Sequence, residues 1–174
     1  QRQMCIRDRL YIDEGHVFST EDIKTIQIGT KATISSAADQ TFVVDDESTA
    51  ISPVTIRAIT DGSDVNSSND IRIKIPAATS MIWDTDDTTA VIEGTASGKV
   101  SSTVSFPDGK TLLIDVTGNF AEGEIITVSD LSFKDFTASS DPDNLELYVD
   151  GASDVTADGL DDKTVTIESL SWIC

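Results

Sequence analysis

Ile71-Arg72-Ile73-Lys74-Ile75 alternates apolar and basic side chains over consecutive positions. Successive side chains of a strand leave opposite faces, so the three isoleucines share one face and Arg72 and Lys74 the other. A helix would scatter the same residues around its circumference. Leu145, Leu147 and Val149 alternate in the same way, as do Val165 and Ile167. No window of a dozen residues carries a helical period. Turn-forming clusters such as Asp61-Gly62-Ser63-Asp64 recur at the roughly 8–12-residue spacing of short strands. The pattern predicts an all-β chain whose strands each bury one face, as in an antiparallel β-sandwich. Phe106-Pro107-Asp108-Gly109-Lys110-Thr111 reads as a tight hairpin in which Gly109 supplies a positive φ. Pro53, inside the apolar run from Ile51 to Ile59, predicts an edge strand or a bulge, because proline cannot donate to a ladder.

The chain also repeats itself. Leu147-Tyr148-Val149-Asp150 is preceded near the start by Leu10-Tyr11-Ile12-Asp13. Asp161-Asp162-Lys163-Thr164-Val165-Thr166-Ile167 answers Asp22-Ile23-Lys24-Thr25-Ile26-Gln27-Ile28. Tyr11 and Tyr148 stand 137 positions apart and Thr25 and Thr164 stand 139 apart, so the copies differ by two residues in one loop. This divides the chain into the end of a preceding repeat (10–35), one complete repeat (36–168) and the start of a linker to the next (169–174). Residues 1–9 hold three of the twelve basic residues and match nothing in the repeat. They resemble translated sequencing-adapter text at the end of a metagenomic fragment, and we set them apart as non-native.

The charge balance narrows the partners. Thirty-one acidic residues against twelve basic ones give a formal net charge of −19. Phosphate backbones and anionic membranes need clustered Lys and Arg, so nucleic acid and membrane surfaces are poor partners. No apolar run is long enough to predict membrane insertion. The two cysteines, Cys5 and Cys174, lie at the extreme ends and make neither a disulfide framework nor a zinc pattern.

Acidity makes cation binding the first chemistry to consider. Asp150, Asp154, Asp158, Asp161 and Asp162 fall between two predicted strands at the expected domain junction. Calcium takes 6–8 oxygen ligands, largely carboxylates and carbonyls. These five are therefore the candidate calcium ligands, set against the alternative of a hydrated acidic turn. Their spacing is not that of an EF-hand loop. Asp84-Thr85-Asp86-Asp87 and Asp61-Gly62-Ser63-Asp64 are weaker candidates. His16 is the single histidine and lies in the preceding repeat, so the complete repeat has no base for a Ser-His-Asp triad. No phosphate loop or nucleophile-elbow motif is present, and no enzyme is expected. Trp83 and Tyr148 are the candidate sugar-stacking rings of a carbohydrate-binding module, against the alternative that Trp83 is a core residue. Lys74 and Lys110 are the candidates for an internal isopeptide, which requires a buried lysine.

Ser36-Ala37-Ala38-Asp39-Gln40-Thr41-Phe42, Asn69-Asp70-Ile71-Arg72-Ile73-Lys74-Ile75-Pro76 and Asn144-Leu145-Glu146-Leu147, with Asp161-Asp162-Lys163-Thr164, resemble a unit repeated in tandem in very large bacterial secreted or surface proteins. The resemblance covers most of the chain. It implies an Ig-like β-sandwich acting as an extracellular or cell-surface spacer or adhesin module, with no catalytic residues to carry over. Its partners are then neighbouring repeats of the same chain, with glycans or other surface proteins beyond them.

Overall fold

The computed structural model describes residues 31–59, 64–149, 151 and 156–169. Thirteen strands account for most of them: β1 Ala32–Ser36, β2 Gln40–Val43, β3 Thr49–Ala50, β4 Val54–Ala58, β5 Ile71–Lys74, β6 Ile82–Trp83, β7 Val91–Glu93, β8 Val100–Asp108, β9 Thr111–Val116, β10 Ile125–Ser129, β11 Ser132–Lys134, β12 Ser140–Tyr148 and β13 Gly159–Glu168. The helical content among the described residues is one 3-10 turn, Ser97–Lys99. The all-β reading therefore holds.

The strands form three sheets, ordered β1-β4-β10-β7, β3-β11-β6 and β2-β13-β12-β5-β9-β8. The small sheet extends the first one past a shared kink. β3 precedes β4 across Ile51, Ser52 and Pro53, and β11 follows β10 across Leu131 and Asp130, whose φ is 65°. The Ile51 amide donates to the Leu131 carbonyl at 3.0 Å and ties the kink together. Pro53 thus stands at a break between strands. It does not mark an edge, since β4 is paired on both sides, by β1 and by β10.

The sheets share one core. Ile34, Ile56 and Ile126 of the first sheet are buried together with Ile73, Ile114, Leu147 and Ile167 of the six-stranded one. An aromatic chain crosses from sheet to sheet. Phe42 of β2 stacks on Phe136 at 4.8 Å and meets Phe133 edge-on at 5.7 Å. Phe133 in turn meets Trp83 at 4.7 Å, and Trp83 lies 6.3 Å from Phe106 of β8. Such offset and edge-on pairs add about 0.5–1.5 kcal/mol each beyond the area they bury.

Two local features depart from the sequence reading. β13 pairs with β2 in parallel, Val165 opposite Gln40 and Glu168 opposite Val43, so the ladders are not antiparallel throughout. Gly109 closes the β8–β9 hairpin without a positive φ. Glycine fits there because a Cβ would meet the Ile82 side chain at 3.3 Å. Positive φ falls instead at Gly94, Gly123 and Gly151, and at Gly94, 111°, a Cβ would sit 2.5 Å from the Ile125 carbonyl oxygen. Among the described residues no helix is long and apolar enough to cross a membrane.

Candidate functional site

The five candidate calcium ligands are not all placed. Asp150 and Asp154 lie outside the described residues. The other three belong to the start of β13 and the residue before it, and each is engaged by the protein itself. Asp158 accepts the Val149 amide at 2.8 Å, and the Lys31 ammonium lies 3.9 Å from its other oxygen. Asp161 is buried, only 4% exposed. Its carboxylate accepts the Ser36 amide at 2.8 Å, the Ser36 hydroxyl, and the Lys163 amide at 3.1 Å. Asp162 points the other way, taking the Ser35 hydroxyl at 2.8 Å and the Lys163 ammonium at 3.1 Å. The Ser35 hydroxyl first, and Lys163 second, hold the Asp162 carboxyl below its usual range.

This arrangement does structural chemistry. Asp161 joins β13 of the six-stranded sheet to β1 of the four-stranded one. A buried carboxylate is tolerable only when its lone pairs are filled by donors, and here backbone amides and a hydroxyl fill them. Ser35, Ser36 and Lys163 are the partners that sequence reading missed. The signal for Asp161 was available, because it has the same strand parity as Val165 and Ile167 and so faces inward with them.

A second acidic group lies at the far end of β13. Asp45, Asp46, Glu47, Asp84, Asp86 and Asp135 border an open depression together with Lys134. The Lys134 ammonium sits 2.8 Å from Asp84 and 3.2 Å from Asp86. The positive charge at the centre of this group is the protein's own. Asp84 also accepts the Ser48 hydroxyl at 2.6 Å. Lys134 first and Ser48 second lower its carboxyl from 3.8 to about 2. Among the described residues no three acidic, histidine or cysteine side chains are placed to hold a metal ion.

The Asp84 shift has a defined sign. A carboxylate held below its unfolded value contributes stability above pH 3.8 that is lost as pH falls from there toward 2. Fully expressed, the shift is worth ~2 kcal/mol, and solvent screening of this partly exposed pair reduces that to about 1 kcal/mol. Lys134→Met is therefore expected to lower stability at neutral pH, by less than the full Asp84 contribution because the Ser48 hydroxyl remains. In urea titrations the gap from the parent should close as pH falls through about 4 toward 2. A gap that persists at pH 2 would assign the loss to packing of the lysine stem.

The remaining candidates are accounted for by packing. Trp83 is fully buried, and its indole N–H donates to the Lys110 carbonyl at 3.2 Å, so it is a core residue. Tyr148 lies beneath the Lys74 ammonium, 3.8 Å from its ring centroid, and donates its hydroxyl to Glu146 at 2.7 Å. Lys110 donates to the Thr79 carbonyl and, at 3.2 Å, to the Thr79 hydroxyl, and burial lowers its pKa. Its nearest donors and acceptors are thus alcohol and carbonyl groups, not the acid and amide an isopeptide uses. His16 lies outside the described residues. No protein-family model matches the chain, and a search of curated proteins finds no match.

Proposed function

We propose that the chain is a non-catalytic structural or adhesive repeat, an Ig-like β-sandwich from a tandem array in a large bacterial extracellular or cell-surface protein. One observation carries the reading. The repeated text falls on the last two strands of the fold: Leu147-Tyr148 closes β12, with Val149 directly after it, and Asp161 to Ile167 runs along β13. Leu10 to Ile28 therefore carry the text of those strands a second time, ahead of the body described here. A unit whose end is spelled twice in one chain is one that is strung in series, and in such arrays length and stiffness come from repetition. The acidic surface suits an exposed, well-solvated rod.

Long-read sequencing of the DNA that encodes the chain tests this directly. Further copies of the Leu-Tyr-Val-Asp and Asp-Asp-Lys-Thr text should follow one another at the spacing of 137 to 139 residues seen here. A parent gene with no further copy would sink the reading. Calcium stiffening at the junction loop is the second component. Bound at one hundred times its Kd, calcium should add about 2.7 kcal/mol, a rise in Tm on the order of 5–15 °C, when the full chain is melted with calcium and then with chelator at fixed ionic strength. An unchanged Tm would leave Asp158, Asp161 and Asp162 to the amides, hydroxyls and lysines that already engage them.

A further inference from the structure

We infer that consecutive units join head to tail across a connector of two residues, with the exit pole of one unit packed on the entrance pole of the next. The inference rests on the tandem reading above and gives it a partner surface: a second copy of this unit.

The poles follow from strand direction. β1 opens beside the opening of β13. The Ile59 amide donates to the Lys31 carbonyl at 3.0 Å, Lys31 reaches Asp158 at 3.9 Å, and a Cβ on Gly159 would lie 3.0 Å from the Ala32 carbonyl oxygen. β13 then runs 10 residues to its end at Glu168. There the Val44 amide donates to the Glu168 carbonyl at 2.9 Å, next to Asp45 and Phe136. At ~3.3 Å per residue, entrance and exit are separated by about 30 Å, the length of one strand. A chain that enters at one pole and leaves at the other stacks its copies in line.

The repeat then fixes the connector. At the offset of 139, Gly29 is the partner of Glu168 and Ser171 is the partner of Ala32. The last strand of a unit ends at Glu168 and the first begins at Ala32. Two residues, 30 and 31, therefore separate the preceding unit's last strand from this unit's first, and the unit begins near residue 30, not at 36. Two connecting residues bridge at most about 10 Å between strand ends. That is too short to let the neighbours move apart. The surfaces brought together are the acidic exit pole of Asp45, Asp46 and Asp135 and an entrance pole carrying Lys31 and the exposed Ile59 and Leu160, 40% and 58% accessible. Burying those two apolar side chains, with a lysine at the seam, is what the contact gains.

The test is a fusion of residues 1–169 directly to 31–174, which keeps the natural phase. One spin label is placed in each unit at Val91→Cys, with Cys5→Ser and Cys174→Ser. Pulsed dipolar spectroscopy should give one narrow distance near ~40 Å, one strand length plus the connector. A five-residue Gly-Ser insertion after Ser169 should broaden it at least twofold. Ile59→Asp with Leu160→Asp on the second unit should broaden it without the insertion. A broad distribution in the parent fusion, a distance below about 25 Å, or a width indifferent to the insertion would overturn the contact. If hydrogen exchange leaves the second copy of Ala32–Ser36 unprotected while the first is protected, the phase is wrong. These failures are separate from failure of the tandem reading, which is decided by the parent gene.

Discussion

Phe133→Ala should cost about 3–5 kcal/mol. Phe133 is fully buried and is the ring where the two halves of the aromatic chain meet, Phe42 on one side and Trp83 on the other. Removing it deletes two aromatic contacts and leaves a cavity between sheets. Strand backbones on both walls are hydrogen-bonded into their ladders, β11 to both β3 and β6, so they cannot collapse into the hole. In a domain of this size the loss corresponds to a fall in Tm on the order of 10–20 °C. Phe133→Leu, which keeps most of the volume, should lose less than half as much. Leu160→Ala, at an exposed site, should stay within about 0.5 kcal/mol of the parent. Denaturant titrations of the three variants decide the matter. A loss below about 1.5 kcal/mol for Phe133→Ala would mean that the aromatic chain does not hold the sheets together.

The second large effect is expected at Asp161. Asp161→Ala strands the Ser36 amide, the Ser36 hydroxyl and the Lys163 amide, all of which donate to this carboxylate. Each buried donor left without an acceptor costs about 1–3 kcal/mol. Water that enters the vacated space offsets part of this, so the net loss should be about 2–4 kcal/mol. Ser36→Ala leaves one Asp161 oxygen without its hydroxyl donor but keeps both backbone amides paired, and should cost less, about 1–2 kcal/mol. Amide exchange gives the site-specific readout. In Asp161→Ala the Ser36 amide should lose protection before the core of β5 does, because the variant releases β1 from β13 while the central strands stay paired. Equal losses from the two substitutions, or protection at Ser36 that falls only with global unfolding, would sink the idea of a latch between sheets.

How much of this was legible beforehand depends on the distance between partners. The alternation at Ile71 to Ile75 gave β5 and its inward face correctly, because a two-residue period is a local property. It also placed Arg72 and Lys74 on the opposite face. That face is not open, though: Arg72 is only 9% exposed and Tyr148 lies under Lys74, since β5 is flanked by β12 and β9 in mid-sheet. The parallel β2–β13 ladder joins segments more than a hundred residues apart, and nothing in either strand spells the direction of its partner. Asp161 was read as a loop residue because three acids among turn-formers look like a turn. The burial of Gly159, Asp161, Val165 and Ile167 shows the strand starting earlier than its apolar residues do. The Asp84–Lys134 pair, fifty positions apart, depends on the pairing of β6 with β11 and carries no local mark.

The parallel pairing of β2 with β13 decides how the unit answers tension. A pull applied at the two ends of the chain draws the β1–β2 end toward one pole and β13 toward the other, along the axis of the ladder that joins them. Its hydrogen bonds are then loaded side by side and must fail together. A hairpin pulled open from its free ends would surrender them one at a time. Rupture in shear demands a far higher peak force for the same number of bonds, so under such a pull one short ladder, and not overall thermodynamic stability, would set the force at which the unit yields.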